Sequence, residues 1–101
     1  MIALVAPHEL AWAEAATVSQ RHDSLSRLGR AYLSLTPGED SASTLFERVP
    51  GLNRRRPVVE QLRTLQPAVV SDFASARTVS IDGWRLARTE ARVAALHALG
   101  H

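Results

Sequence analysis

Asp82-Gly83 separates two short runs in which apolar and polar residues alternate, Thr78-Val79-Ser80-Ile81 before it and Trp84-Arg85-Leu86 after it. An Asp-Gly pair supplies the positive φ angles of a type I′ turn, whose twist suits the strands it joins. The spacing predicts a β-hairpin over residues 78–86, and the turn sets its register. Ile81 opposes Trp84, Ser80 opposes Arg85 and Val79 opposes Leu86. Val79, Ile81, Trp84 and Leu86 then share one face, with Thr78, Ser80 and Arg85 on the other. A slip of one residue would turn the whole apolar set to water, so the register is firmly specified. Two strands alone are marginal in water. Their apolar face must therefore rest on helices, the only other elements the chain offers. Trp84 is expected to be buried against helices carrying Leu28, Tyr32 and Phe73, with Ile81, Asp82 and Gly83 as the other structural residues of the motif.

Helical signals account for most of the remaining chain. Pro7 suits a first helical turn, and the Ala-rich run from there to about Ser19 reads as helix without a clear buried face. Asp23 or Ser24 offers a cap for a second helix, in which Leu25, Leu28, Tyr32 and Leu35 fall at helical spacing. Gly29 borders that stripe at a propensity cost of about 1 kcal/mol, which close approach of another helix would offset. Thr36-Pro37-Gly38 ends the element. Asp40 or Ser41 starts a short third helix with Ala42, Leu45, Phe46 and Val49, closed by Pro50-Gly51. Pro57 opens a fourth helical region with a stripe of Val58, Leu62, Leu65, Val69, Phe73 and Ala76. Pro67 within it predicts either a kink or two abutting helices. After the hairpin, residues 87–99 are strongly helical and Gly100 is a natural stop. Ala87 and Arg88 provide no capping acceptor, which leaves Thr89 as the fallback.

The expectation is one mostly α domain over residues 1–101, a small bundle of about five helices with the hairpin ahead of the last. At 101 residues, 46% apolar and 22% charged, the chain has the ordinary globular balance for one core. It has no cysteine, which removes disulfides, thiolate metal sites and a Cys nucleophile. No apolar run is long enough for a membrane helix. Met1-Ile-Ala-Leu-Val-Ala lacks the basic start and length of a signal peptide. If Met1 is the true start, the expected location is the cytoplasm, the alternative being export in company with a signal-bearing partner.

All twelve basic residues are Arg, a bias that genome composition explains more readily than binding. The charge is uneven: residues 1–53 hold four Arg against six acids (−2), and residues 54–101 hold eight Arg against four (+4). Arg54-Arg55-Arg56 is the one charge run. It suits phosphate contact, but a solvated or internally paired loop explains it more simply. Arg88 and Arg92 share a helix face at i, i+4, and Arg85 points away from the hairpin's apolar face. This second cluster can meet an acidic partner, or Asp72 and Glu60 within the chain; the internal reading is slightly favoured. Trp84 doubles as a candidate recognition aromatic, since Trp is enriched at interfaces.

The sequence carries no nucleophile elbow, P-loop or dinucleotide fingerprint. His8, His22, His97 and His101 read as scattered, solvent-exposed residues rather than a helical metal pair. Glu39-Asp40, the one adjacent acid pair, reads as a helix start. Catalysis is thus the weakest class, with no cofactor or metal expected.

Leu28-Gly29-Arg30-Ala31-Tyr32-Leu33, Asp72-Phe73 and the run Val79–Leu96, with its Asp-Gly-Trp-x-Leu-x-x-Thr-Glu-Ala-Arg core, resemble a group of small uncharacterised bacterial proteins. Several of that group carry twin-arginine export signals ahead of a similar helical domain. The resemblance spans residues 25–99 and implies the same architecture. This chain departs in lacking the signal and in having Ala87 where a Ser cap is expected. An accessory role beside an exported redox enzyme is what the export signal implies.

The leading functional expectation is a non-catalytic helical interaction module, a small accessory subunit or adaptor of a larger protein. A nucleic-acid-binding or regulatory protein using its Arg clusters is the alternative. The third is a small-molecule-binding protein or enzyme with a pocket at Trp12, Tyr32 and Trp84.

Overall fold

The computed structural model describes residues 18–101, with side chains from Asp23 onward. The expected helix from Pro7, together with His8 and Trp12, lies outside the described residues. Four α-helices and one hairpin make up the described fold: α1 (Val18–Leu35), α2 (Ala42–Arg48), α3 (Gln66–Ala74), β1 (Thr78–Ile81), β2 (Trp84–Ala87) and α4 (Arg88–Ala98). Short 3-10 turns at Pro37–Glu39 and Val58–Gln61 join them. The protein is mostly helical, with the hairpin immediately before its last helix.

α1 runs unbroken through Asp23 and Ser24, so neither caps a helix as the sequence suggests. An N-cap residue must leave the helical region of φ/ψ, and the stripe of Leu25, Leu28 and Tyr32 holds these residues within a longer packed helix. All three of those side chains are buried. α1 ends where expected, because Thr36 before Pro37 sits at φ −131°, ψ 70°. Of the two candidate caps for α2, Ser41 serves: its Oγ accepts the Thr44 N–H at 3.2 Å.

The region from Pro57 resolves into two pieces rather than one kinked helix. A 3-10 turn holds Val58 and Gln61 inward, and α3 starts afresh with Pro67 in its first turn, where no N–H is required. Val58, Leu62, Leu65 and Val69 are buried along the expected stripe. α3 then closes in a Schellman arrangement, with the Arg77 N–H on the Asp72 carbonyl at 2.8 Å and the Ala76 N–H on the Phe73 carbonyl at 3.3 Å. Ala76 takes the left-handed position at φ 60° that glycine usually fills.

The hairpin has the predicted register: Val79 opposes Leu86, Ser80 opposes Arg85 and Ile81 opposes Trp84. Asp82 at φ 52° and Gly83 at φ 81° provide the two positive angles of its turn. β1 rests on α1 and α4, and β2 on α3 and α4.

Trp84 departs from expectation, being 38% exposed rather than buried. Burial along β2 rises from tip to base, with Trp84 and Arg85 exposed and Leu86 and Ala87 enclosed. Ile81, directly opposite Trp84, is buried, while the larger indole on the same face is only partly covered.

α1 and α4 form the centre of the fold. Gly29 lies against the backbone of Ala94 and Ala95, where an added Cβ would overlap the Ala94 carbonyl and come within 2.9 Å of the Ala95 Cα. The close approach expected of Gly29 is therefore made with α4, whose Ala91, Ala94 and Ala95 are buried. Leu45, Phe46, Val58, Leu62, Leu65, Val93 and Leu96 complete the core. α4 ends at Gly100 (φ 98°), with the His101 N–H returned to the Leu96 carbonyl at 2.9 Å.

Candidate interaction surface

The charged side chains sort into those the fold consumes and those it presents. Glu39 is the principal consumer. The 3-10 turn after α1 carries its carboxylate inward, where Oε1 accepts the Tyr32 hydroxyl at 2.8 Å and Arg92 Nε at 2.9 Å. Oε2 accepts Arg92 Nη2 at 3.2 Å and Arg48 Nη1 at 3.0 Å. Burial alone would push this carboxyl up, but the Arg92 and Tyr32 hydrogen bonds and the two guanidinium charges outweigh it, and it titrates below the ordinary range. The Tyr32 hydroxyl is pushed up by burial and by its bond to Glu39. Arg92 is held in its charged form by the Glu39 bonds, against the effect of burial.

Arg92 thus leaves the predicted Arg85/Arg88/Arg92 cluster. It pairs internally, as one sequence reading had it, but with Glu39 in place of Asp72 or Glu60. Glu39 itself is no helix start; it is the acid that ties α1, α2 and α4 together. Tyr32, a candidate pocket residue, is buried with its hydroxyl committed to Glu39.

Asp72 is the second consumed acid. Its Oδ2 accepts both the N–H and the hydroxyl of Thr89, at 2.8 and 2.7 Å, while Oδ1 accepts Arg77 Nε at 3.0 Å. Desolvation raises its pKa, yet the bonds from Thr89 and Arg77 prevail and hold it below the usual carboxylate value. The first turn of α4 is thereby capped from α3. Glu90 adds a bond from the Ala87 N–H at 2.9 Å, the half of a capping box that survives without a Ser at 87. Neither acid showed its role in the sequence. The missing acceptor at Ala87 was the one hint that a distant group must cap α4.

The Arg54-Arg55-Arg56 loop is largely accounted for within the chain. Buried Gln61 accepts the Asn53 N–H at 2.7 Å and donates to the Asn53 and Arg56 carbonyls at 2.9 and 3.2 Å. Arg54 lies over the Phe46 ring at 4.6 Å from its centroid, and Arg56 meets Glu60 at 3.7 Å. Arg55 is exposed. His97 and His101, which read as scattered, both line an open hollow of about 350 Å³ with Glu60, Pro57 and Val59. They form no helical pair, because Gly100 breaks the helix and His101 sets its ring edge-on to Phe46 at 5.4 Å. No group of three or more metal-ligating side chains occurs among the described residues, and no helix there is long and apolar enough to cross a membrane.

The hairpin and the start of α4 are among the surfaces the fold presents. Trp84 and Arg85 are exposed and Arg88 is half-buried. Arg85 Nε reaches the Thr78 hydroxyl at 3.3 Å across the ladder. Arg48, Arg56, Arg77 and Arg92 are ion-paired, and among the described residues no carboxylate pairs with Arg85 or Arg88. The base beneath is rigid: the Arg88 N–H donates to the Arg77 carbonyl at 3.0 Å, extending the ladder into α4. No protein-family model, curated protein or solved structure matches the chain.

Proposed function

We propose that the protein is a non-catalytic helical interaction module, an accessory subunit or adaptor whose contact surface is the outer side of the hairpin. One observation carries the reading: Trp84 projects from a tightly turned hairpin with 38% of its surface in water. A large aromatic on a pre-ordered element loses little conformational freedom on binding, and such residues dominate interface energetics. Arg85, on the hairpin's other face, and Arg88 at the start of α4 add charge that no acid among the described residues pairs with. The resemblance of residues 25–99 to proteins with twin-arginine signals extends the proposal to a redox enzyme as the larger partner, with export in its company.

The Arg54–Arg56 loop supports the nucleic-acid alternative less well, since Arg54 and Arg56 already serve Phe46 and Glu60. Isolation of the tagged full chain from its source cells, followed by native mass measurement, tests the proposal. A stoichiometric protein partner is expected. A lone chain, or one retaining only nucleic acid, would overturn it.

A further inference from the structure

Deepening this reading, and resting on it, we propose that the partner adds an extended segment to the free edge of β1 as a third, antiparallel strand. The hairpin register fixes which backbone groups face outward. In an antiparallel pair, opposed residues alternate between those that exchange both hydrogen bonds and those that exchange none. The two-residue turn makes Ile81 and Trp84 a bonded pair, so Val79 and Leu86 are bonded while Ser80–Arg85 and Thr78–Ala87 are not. Two bonds beyond the ladder agree with that phase. The Arg88 N–H donates to the Arg77 carbonyl at 3.0 Å, continuing the bonded series. The Ala87 N–H turns away from the ladder, to Glu90 Oε1 at 2.9 Å. The N–H and C=O groups of Thr78 and Ser80 therefore point out along the β1 edge, without a partner among the described residues. Ser80 is exposed.

Such an edge suits extended backbone, because its donors and acceptors repeat at the spacing of a strand. β1 is short, but Thr78-Val79-Ser80-Ile81 has no charge, proline or bulge to keep another strand away. Side chains of an added strand fall on the two faces in step with those of its neighbour. Val79 is only half-buried against the core, so an apolar residue opposite it would complete that cover. Residues opposite Thr78 and Ser80 face outward and are polar. Asp82 is exposed at the turn, its carboxylate without a partner among the described residues, and a basic residue complements it there. Read from its own N-terminus, the incoming segment is basic first and then alternates apolar and polar. A second copy in antiparallel register offers only Arg77 near Asp82, and Asp72 already holds that arginine. The partner's segment is the better occupant.

The test uses the full-length protein and a capped peptide, Lys-Val-Thr-Val-Thr, beside a twin N-methylated at both threonines, which lie opposite Ser80 and Thr78. Binding is read by NMR from the Thr78 and Ser80 amide signals and their hydrogen exchange. The unmodified peptide should shift both signals and slow their exchange, and the methylated twin should bind roughly tenfold more weakly. Ser80→Pro removes an outward N–H that the ladder does not use, and should weaken the peptide by a similar factor. The Val79, Ile81, Trp84 and Leu86 amides should stay protected in that variant; where they do not, the methylated twin on the wild-type protein decides alone. Equal binding of the two peptides, or no shift at Thr78 and Ser80, would overturn the proposal. So would protection of these amides that grows with protein concentration alone, which would make a second copy the occupant. The native complex separates this proposal from the broader reading. A complex that forms as well with Ser80→Pro would remove the strand addition and leave the module standing, whereas no stoichiometric partner at all would remove both.

Discussion

Asp72 caps α4 from α3, its Oδ2 holding the Thr89 N–H at 2.8 Å and the Thr89 hydroxyl at 2.7 Å. A helix start that lacks a local acceptor at Ala87 is thus closed by a residue 17 positions before Thr89. The same carboxylate grips Arg77 just before β1, so one side chain orients both the hairpin and the helix that follows it. The proposed contact surface is aimed by this bond.

Asp72→Ala should destabilise the protein by about 2–4 kcal/mol, combining a lost cap with a buried Thr89 left without its acceptor. Ala87→Ser supplies a local acceptor for the first turn of α4 and should recover up to about 1 kcal/mol in the Asp72→Ala background. Urea titrations of both single variants and the double variant measure this coupling; no recovery would mean the buried site at Ala87 cannot accommodate the hydroxyl.

Gly29→Ala should destabilise by about 3 kcal/mol or more, although alanine is the better helix former by about 1 kcal/mol. The added methyl meets backbone of Ala94 and Ala95, which cannot rotate aside, so α1 and α4 must separate. A thermal melt equal to or above wild type would show that the two helices do not approach at this point.

The acid limb of stability should depend on Glu39 and Asp72. Both carboxyls titrate lower in the folded protein than free carboxylates do. Each therefore contributes stability that is present above the unfolded values, about 4.3 for Glu and 3.9 for Asp, and is lost as pH falls through the folded value. Stability should begin to fall below about pH 5 and continue falling below pH ~3. Glu39→Gln leaves Arg92 without its charge partner and should cost about 3–5 kcal/mol at neutral pH. The gap between variant and wild type should narrow as both are acidified. A constant gap across that range would show that Glu39 is not held ionised by Arg92 and Tyr32.

Ala76 occupies a left-handed conformation at the end of α3. Glycine there carries no Cβ penalty, and Ala76→Gly should stabilise by up to about 1 kcal/mol after its greater unfolded-state freedom is counted. A lower melting temperature would contradict the φ angle assigned to this residue.

The parts of this structure that could be read in the sequence are those governed by near neighbours. The Asp82-Gly83 turn, the hairpin register, the Thr36-Pro37 stop and the Gly100 cap each depend on a few adjacent residues. Gly29 was legible as a close approach, and its partner was not, because only the tertiary fold brings Ala94 beside it. Glu39 with Arg92 and Asp72 with Thr89 join residues 53 and 17 positions apart, and no spacing rule links them. The cluster of Arg85, Arg88 and Arg92 failed for the same reason: helical periodicity puts Arg88 and Arg92 on one side, and a distant acid then withdraws one of them. Alternation gives Trp84 its face, shared with buried Ile81, but not how far that face is covered.

The central claim is that the hairpin's outer side is a contact surface, and amide hydrogen exchange on the free protein and on the complex recovered from source cells tests it most directly. Residues 82–88, around Trp84, Arg85 and Arg88, should gain protection in the complex while the Arg54–Arg56 loop exchanges as before. Trp84→Ala should abolish the complex with only a modest fall in melting temperature, since a partly exposed side chain contributes less than a core one. Protection at residues 54–56 with none at the hairpin would contradict the account, and so would a complex that forms equally well without Trp84.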